Sequence, residues 1–196
     1  MLKASAMISQ QSGFYYKPAL EARVADVELK ISKLVQEELL REENLKGRVI
    51  DLCVGYGGSY RAFGRFSSDV TGVEPRKELA DALVEYGIVP EKKLFVMTPL
   101  DYLESQEAAG FNLIAGLLLS RVYMSQMREL YEKSLRLLKV GGQLLLTTEK
   151  DTLPLKQVME LEKMLNISEN GNILSAIFEL EGFGQDDIAL IATKLK

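Results

Sequence analysis

Apolar residues recur along this chain in two periods, one helical and one extended. Over residues 18–43 they are spaced three and four apart, the pattern of an amphipathic helix; Pro18 suits its first turn and Gly47 ends it. The apolar run at 49–54 then predicts a buried strand that leads directly into glycines. The pattern therefore predicts a long helix followed by a buried strand.

The alternation of strand and helix continues through the middle of the chain. Further strands are predicted at 69–74, 93–98, 111–118 and 143–148. The helices between them are predicted at 76–86, 100–106 and 125–138, and another follows at 152–165. Gly141 and Gly142 are expected to turn the chain into the strand at 143–148. The helix at 125–138 is expected to bury Met127, Leu130, Tyr131, Leu135 and Leu138.

The end of the chain has a different pattern. Two strands, at 172–180 and 186–194, are separated only by residues 181–185. So short a connection requires an antiparallel hairpin, whereas strands joined by helical crossovers run parallel. The predicted fold class is α/β, with a doubly wound, mostly parallel seven-stranded sheet and an antiparallel C-terminal hairpin strand. We expect one structural domain, in which residues 1–44 form a helical extension or lid packed on the core formed by residues 45–196.

Composition restricts the classes of function. The chain has 196 residues, of which 47% are hydrophobic and 27% charged, the balance of one globular domain. A net charge of −4 without a basic block disfavours nucleic acid as a partner. The longest apolar stretch, 113–119, is too short to cross a membrane, and the single cysteine, with no signal-peptide core, leads us to expect a cytoplasmic protein. The absence of histidine removes histidine bases and ligands from every mechanism.

The glycine loop after the first predicted strand is the most informative segment. Gly55 and Gly57 let the backbone approach a ligand closely, and Glu74, which ends the second strand, can accept both hydroxyls of a ribose. Dinucleotide-binding enzymes share such a loop, but their fingerprint has Gly or Ala where this chain has Tyr60. Asp51 would repel a pyrophosphate and attract an ammonium or sulfonium group. These residues therefore favour a cationic nucleoside over NAD.

Four segments resemble the motifs of the class I, Rossmann-like methyltransferases that use S-adenosylmethionine (SAM). Residues 49–57 resemble the first motif, 70–75 the second-strand motif with its ribose-binding acid, 111–114 the fourth strand, and 137–146 the helix, turn and strand that follow. The resemblance covers roughly residues 45–196 and implies SAM as the cofactor. The cofactor-binding residues that it implies are Asp51, Cys53, Gly55, Tyr56, Gly57, Glu74, Pro75, Pro99, Leu100, Asp101, Leu117 and Tyr16.

The chain departs from the pattern of this family at a few positions. Cys53 stands where the family usually has its first glycine, and we interpret it as a small buried side chain rather than a nucleophile. Pro99 stands where the family often has an Asp that binds the adenine amino group. Asp101 either replaces that Asp or begins a helix, in which case the Leu100 backbone and apolar contacts would hold the adenine. Asn112 replaces an acid at a structural position of the fourth strand.

Other residues are candidates for the mouth of the site and the acceptor side. Tyr15 and Tyr16 either fold over the cofactor and donate a hydroxyl to its carboxylate, as N-terminal tyrosines of related enzymes do, or hold the first helix as a hydrophobic staple. Arg121 either pairs with an anionic substrate or is solvated. Tyr123 and Lys150 are further candidates for contact with the acceptor.

Several absences narrow the type of methyl transfer. The chain has no Asn/Asp-Pro-Pro-aromatic motif after the fourth strand, no cysteine near strands four and five, and neither paired glutamates nor a metal-binding Asp after strand four. We therefore expect metal-independent transfer to an oxygen or nitrogen of a small-molecule acceptor, achieved by alignment and proximity. A catalytically silent methyltransferase-like binding or partner subunit is the alternative, and a nucleotide- or NAD-binding enzyme is the third. The wide apolar face of the first helix would allow a homodimer.

Overall fold

The computed structural model describes residues 16–107, 110–117, 126–149, 173–180 and 187–196. The helix predicted at 152–165 lies outside these ranges. The elements, in chain order, are α1 (Tyr16–Gln36), α2 (Glu42–Leu45), β1 (Val49–Leu52), α3 (Gly58–Gly64), β2 (Val70–Val73), α4 (Lys77–Glu85), β3 (Leu94–Phe95), α5 (Pro99–Ser105), β4 (Phe111–Gly116), α6 (Met127–Leu137), β5 (Leu138–Glu149), β6 (Ile173–Leu180) and β7 (Asp187–Lys194).

The strands form one sheet in the order β3-β2-β1-β4-β5-β7-β6. The five strands from β3 to β5 pair in parallel, and β7 pairs antiparallel with both β5 and β6. The strand order changes direction at β1: β2 and then β3 lie on one side of it, and β4 and then β5 lie on the other. The predicted fold class, including the antiparallel C-terminal strand, is confirmed.

Apolar side chains of the sheet alternate between its two faces, so each face has its own core. On one face, Ile50 of β1 packs in a cluster with residues of α5 and α6. The five residues of the 125–138 segment that were expected to face inward are buried. On the other face, Val49 packs in a cluster with residues of α1 and α3, such as Val24 and Phe63. The N-terminal helix thus completes one of the two layers that cover the sheet.

Helix α1 ends earlier than the predicted boundary at residue 43. Glu38 adopts the left-handed conformation, with φ 60°, and the amide of Leu39 donates to the carbonyl of Leu34 at 2.9 Å. The amide of Glu38 donates to the carbonyl of Val35 at 3.0 Å. These two bonds close a Schellman motif, which ends the helix without the glycine that usually occupies this position. The chain turns there, and the apolar pattern continues into Leu40, which is buried.

Two predicted boundaries in the sheet also differ. Strand β3 is limited to Leu94–Phe95, because a 3₁₀ turn at Glu91–Lys93 precedes it and Thr98 already caps α5. Strand β5 begins directly after α6, and Gly141 and Gly142 lie inside it. There the register shifts between Phe111 and Leu113 of β4, and Gly141 takes φ 80°. The glycines therefore form a bulge within the strand rather than a turn before it.

A buried polar network joins the segment after α1 to the far side of the sheet. The Gln143 side chain accepts from the amide of Arg41 at 2.7 Å and from Nδ2 of Asn44 at 3.1 Å. It donates to the carbonyl of Leu39 at 2.9 Å and to Oγ1 of Thr193 at 3.1 Å. Because every one of these groups is paired, the network stabilises the turn after α1 against β5 and β7. Within the described ranges, no helix has the length and apolar character needed to cross a membrane.

Candidate functional site

A cavity of about 420 Å³ opens at the carboxyl ends of β1 and β2. It is lined by residues of the glycine loop, of the segment after β2 and of α1. Leu117, directly after β4, completes the lining. This is the place where open parallel sheets bind ligands, because the strand order reverses there and leaves a crevice between the connections.

The glycine loop is built from residues in the left-handed conformation. Cys53, Gly55 and Gly57 have φ of 63°, 60° and 90°. A Cβ on Gly57 would lie 2.4 Å from Cγ2 of Ile88, so this position requires glycine for space as well as for conformation. Cys53 adopts the same conformation with a side chain, at a cost of about 1 kcal/mol. The loop therefore has left-handed backbone at Cys53 although this position is not a glycine.

Glu74 ties this loop to the end of β2. Its carboxylate is only 1% exposed. Oε2 accepts from the amide of Gly55 at 2.9 Å, and Oε1 accepts from the amide of Arg76 at 3.1 Å and from its Nε at 2.8 Å. The Arg76 side chain is 60% exposed and lines the cavity. The guanidinium therefore lies between the carboxylate and solvent, and Glu74 faces the cavity with an arginine already bound to it.

Asp51 lies beneath the loop and is fully buried. Its Oδ2 accepts from the hydroxyl of Ser59 at 2.6 Å, while Oδ1 has no hydrogen-bond partner among the described residues. Burial raises the pKa of Asp51 from its ordinary value of 3.8 to about 7. The hydrogen bond from Ser59 opposes this shift, and the nearby charge of Glu74 adds to it. In the part of the chain that the structure describes, this carboxyl group has no positively charged partner.

Helix α1 contributes three residues to the cavity that the sequence analysis did not identify: Arg23, Asp26 and Val27. The Arg23 guanidinium carbon lies 5.1 Å from the centroid of the Tyr56 ring. Asp26 pairs through Oδ2 with Nζ of Lys30 at 3.1 Å. The only sequence signal for their role was that Asp26 and Val27 follow Arg23 by three and four residues, a spacing that places them on one side of a helix but does not tell which side meets the loop.

Ion pairs hold this helix against α3. Arg61 pairs with Glu21 at 2.8 Å, and Arg65 pairs with Glu28 at 2.6 Å and with Glu21 at 3.6 Å. The backbones approach so closely that a Cβ on Gly58 would lie 3.0 Å from Cβ of Arg23. In the part of the chain that is described, α1 therefore forms a fixed wall of the cavity.

The predicted cofactor residues separate into two groups. The first group lines the cavity: Cys53, Gly55, Tyr56, Glu74, Pro75 and Leu117. Asp51 does not line it but accepts a hydrogen bond from the lining residue Ser59. Gly57, Pro99, Leu100 and Asp101, which were also predicted to bind the cofactor, do not line it. Gly57 instead shapes the loop as the residue that caps α3.

The segment after β3 has a clear local role. Pro99 occupies the first turn of α5, and Thr98 caps that helix by accepting from the amide of Asp101 at 3.2 Å. The Asp101 carboxylate accepts from the Thr98 hydroxyl at 2.6 Å. This capping arrangement is the second of the two roles considered for Asp101.

The predicted residues on the acceptor side remain outside the described structure. Tyr15, Arg121, Tyr123 and Lys150 lie outside the described ranges, and the Tyr16 backbone begins α1. Across the described residues, no group of three or more His, Cys, Asp or Glu side chains is arranged to hold a metal ion.

Comparisons with known proteins give similarity in structure only. No protein-family model matches the chain, and no curated protein matches it. A candidate O-methyltransferase from Klebsiella pneumoniae has a TM-score of 0.64 at 12% identity, over 97% of this chain and 95% of its own. The O-methyltransferase TomG from Streptomyces achromogenes, involved in tomaymycin synthesis and solved in complex with SAM, has a TM-score of 0.62 at 14% identity, over 87% and 79%.

A third similar structure is an rRNA methylase from Streptococcus thermophilus, with a TM-score of 0.57 at 16% identity over 79% of this chain and 94% of its own. Identities this low establish the fold and leave the substrate open. The chain has the Rossmann-like fold of class I methyltransferases, as the motifs at 49–57 and 70–75 predict.

Proposed function

We propose that this chain is a SAM-dependent methyltransferase that acts on an oxygen or nitrogen of a small molecule without a metal. The observation that carries the proposal is the placement of two buried carboxyl groups beside one glycine loop and one cavity: Asp51 lies in β1, and Glu74 directly follows the adjacent parallel strand β2. A pyrophosphate would be repelled there by both groups, whereas a cationic nucleoside would be attracted.

The residues present fit such a cofactor. The partnerless Oδ1 of Asp51 is the kind of buried group that a cation can satisfy, directly or through a water molecule. Glu74 has the position to accept ribose hydroxyls, and Pro75 and Leu117 offer apolar walls. When bound, SAM supplies a methyl group that its positively charged sulfur has already activated. The chain then has to align the acceptor and exclude water, which requires shape more than acid–base chemistry.

The choice of acceptor rests on charge and on the segment after β4. The net charge of −4 opposes binding to a polyanion such as RNA. Residues 117–125 contain no acidic side chain to hold a divalent metal and no motif for reaction with a nucleobase amine. Two of the similar structures are O-methyltransferases or candidates for that activity, and the rRNA methylase provides the competing acceptor class.

The binding half of the proposal is tested by titrating S-adenosylhomocysteine, the product form of the cofactor, in a calorimeter. We expect binding by the wild type and a loss of at least tenfold in affinity in Glu74→Gln, which keeps the size of the side chain and removes its charge. Glu78→Gln, on the exposed first turn of α4, is the matched control and should bind like the wild type. No binding by the wild type, in folded protein, would refute the proposal.

The catalytic half is tested with methyl-labelled SAM and three fractions of a cell extract: small molecules, total RNA and protein. Label in the small-molecule fraction supports the proposal, and label only in RNA or protein contradicts the acceptor class. The ion pair between Arg76 and Glu74 favours a second candidate, a silent binding subunit, because the guanidinium occupies the carboxylate intended for the ribose. Cofactor binding without transfer to any fraction would support that candidate.

A further inference from the structure

Two side chains of opposite charge face the cavity from one turn of α1. Arg23 and Asp26 are three residues apart and both line the cavity, together with Ser59 in the first turn of α3. The other charged lining residues, Glu74 and Arg76, are paired with each other at the end of β2. The cavity therefore has two side chains of opposite charge on the helix side and the Glu74–Arg76 ion pair on the β2 side.

Among the described residues, Arg23 has no acidic partner and contacts an aromatic ring instead. The ion pairs of α1 in the described part of the chain use Glu21, Asp26 and Glu28, each with a cation other than Arg23. The Arg23 guanidinium instead lies over the Tyr56 ring, with 5.1 Å between its carbon and the ring centroid. A guanidinium that contacts an aromatic ring and has no acidic partner among the described residues still has N–H donors that can bind an anion.

We propose that Arg23 recognises the carboxylate of the amino-acid end of the cofactor, with Tyr56 positioning the guanidinium. This inference rests on the proposed function, because it names the part of SAM that α1 would contact. Arginine is suited to the role because it offers two parallel N–H donors to the two oxygens of a carboxylate. Asp26, one turn further along, lines the cavity beside it and is paired with Lys30 at 3.1 Å, so the positive group on this side that has no acidic partner among the described residues is Arg23.

The consequence is a specificity for the amino-acid end. A nucleoside without the carboxylate would lose the contact with Arg23, so the site would discriminate S-adenosylhomocysteine from its decarboxylated form. Since Arg23 is exposed to solvent, the contact is expected at the weak end of the range for charged hydrogen bonds, roughly tenfold in affinity.

The experiment measures the affinities of both nucleosides for three proteins by calorimetry. In the wild type we expect S-adenosylhomocysteine to bind about tenfold more tightly than decarboxylated S-adenosylhomocysteine. Arg23→Gln should weaken the first ligand about tenfold and leave the second unchanged, so that the preference disappears. Lys33→Gln is the matched control, because it removes one positive charge from the same helix about 15 Å further along the axis, outside the cavity.

The outcomes separate this inference from the proposed function. If the wild type binds neither nucleoside, both the proposed function and this inference are refuted. If the wild type binds S-adenosylhomocysteine but Arg23→Gln keeps the preference, or weakens both ligands equally, only the role of Arg23 is refuted. Arg23→Lys, which keeps the charge and loses the paired donors, should retain part of the preference; full loss there with full retention in Arg23→Gln would also contradict the inference.

Discussion

Replacement of Asp51 by asparagine would test separately how this buried carboxyl group affects the free energy of unfolding and how it affects ligand binding. The pKa of Asp51 is raised from 3.8 to about 7, chiefly by burial. The folded state therefore holds the proton more tightly than the unfolded state, and the free energy of unfolding falls as pH rises between about 4 and 7. A shift of about three units corresponds to about 4 kcal/mol, fully lost above pH 7.

The assay is thermal unfolding of the wild type and Asp51→Asn at pH 5 and pH 8. This interval includes about two of the three pH units over which the stability changes. The free energy of unfolding of the wild type should therefore fall by about 3 kcal/mol relative to that of the variant, which is roughly 10 °C in Tm for a chain of this size. The chain has no histidine, so few other groups titrate in the same interval. Asp81→Asn, at an exposed carboxylate on α4, is the control for the substitution itself.

The same variant should bind S-adenosylhomocysteine more weakly at pH 8, because it lacks the negative charge that attracts the ammonium group. The expected result is thus a protein that is more stable at pH 8 and less able to bind. If Asp51→Asn has the same dependence of Tm on pH as the wild type, the carboxyl group does not carry the raised pKa and the reasoning is wrong. Such opposition between stability and function is common where a site holds a group at an energetic cost.

Three further substitutions test the loop and the polar network. Gly57→Ala should destabilise the fold by roughly 2–4 kcal/mol, since its methyl group would meet Ile88 at a φ of 90°, and an unchanged Tm would refute this. Cys53→Gly should raise the free energy of unfolding by about 1 kcal/mol, read from the guanidinium midpoint, because it relieves a φ of 63°; a lower midpoint would contradict it. Gln143→Leu should cost about 3 kcal/mol in urea unfolding by leaving the Leu39 carbonyl and its other partners unpaired, whereas a loss below 1 kcal/mol would show that these groups find other partners.

The sheet could be predicted because its signals are local. The apolar runs and the helical segments between them alternate along the chain, and a connection as short as 181–185 permits only an antiparallel pair. The glycine loop and the two acids were likewise visible as residue types at fixed distances from predicted strands. Their burial follows from strands that are covered on both faces.

Other features depend on contacts between distant parts of the chain. The end of α1 is set by Glu38 in the left-handed conformation, which no propensity of glutamate predicts. The role of Arg23 depends on which side of α1 meets the glycine loop, and that is decided by the packing of Val24 and its neighbours against the sheet. The pairing of Arg76 with Glu74 is a choice among several partners for an arginine and required the structure.

The position of β7 has a consequence for synthesis of the chain on the ribosome. Strand β7 is the last of the described elements to be made, yet it lies between β5 and β6. Until β7 has left the ribosome, β5 exposes an unpaired edge and β6 has no strand to pair with. The end of the sheet formed by β7 and β6 can therefore form only after the C-terminal residues have been synthesised. A purified chain truncated before Asp187 should therefore stay protease-sensitive in β6, although every residue of β6 is present.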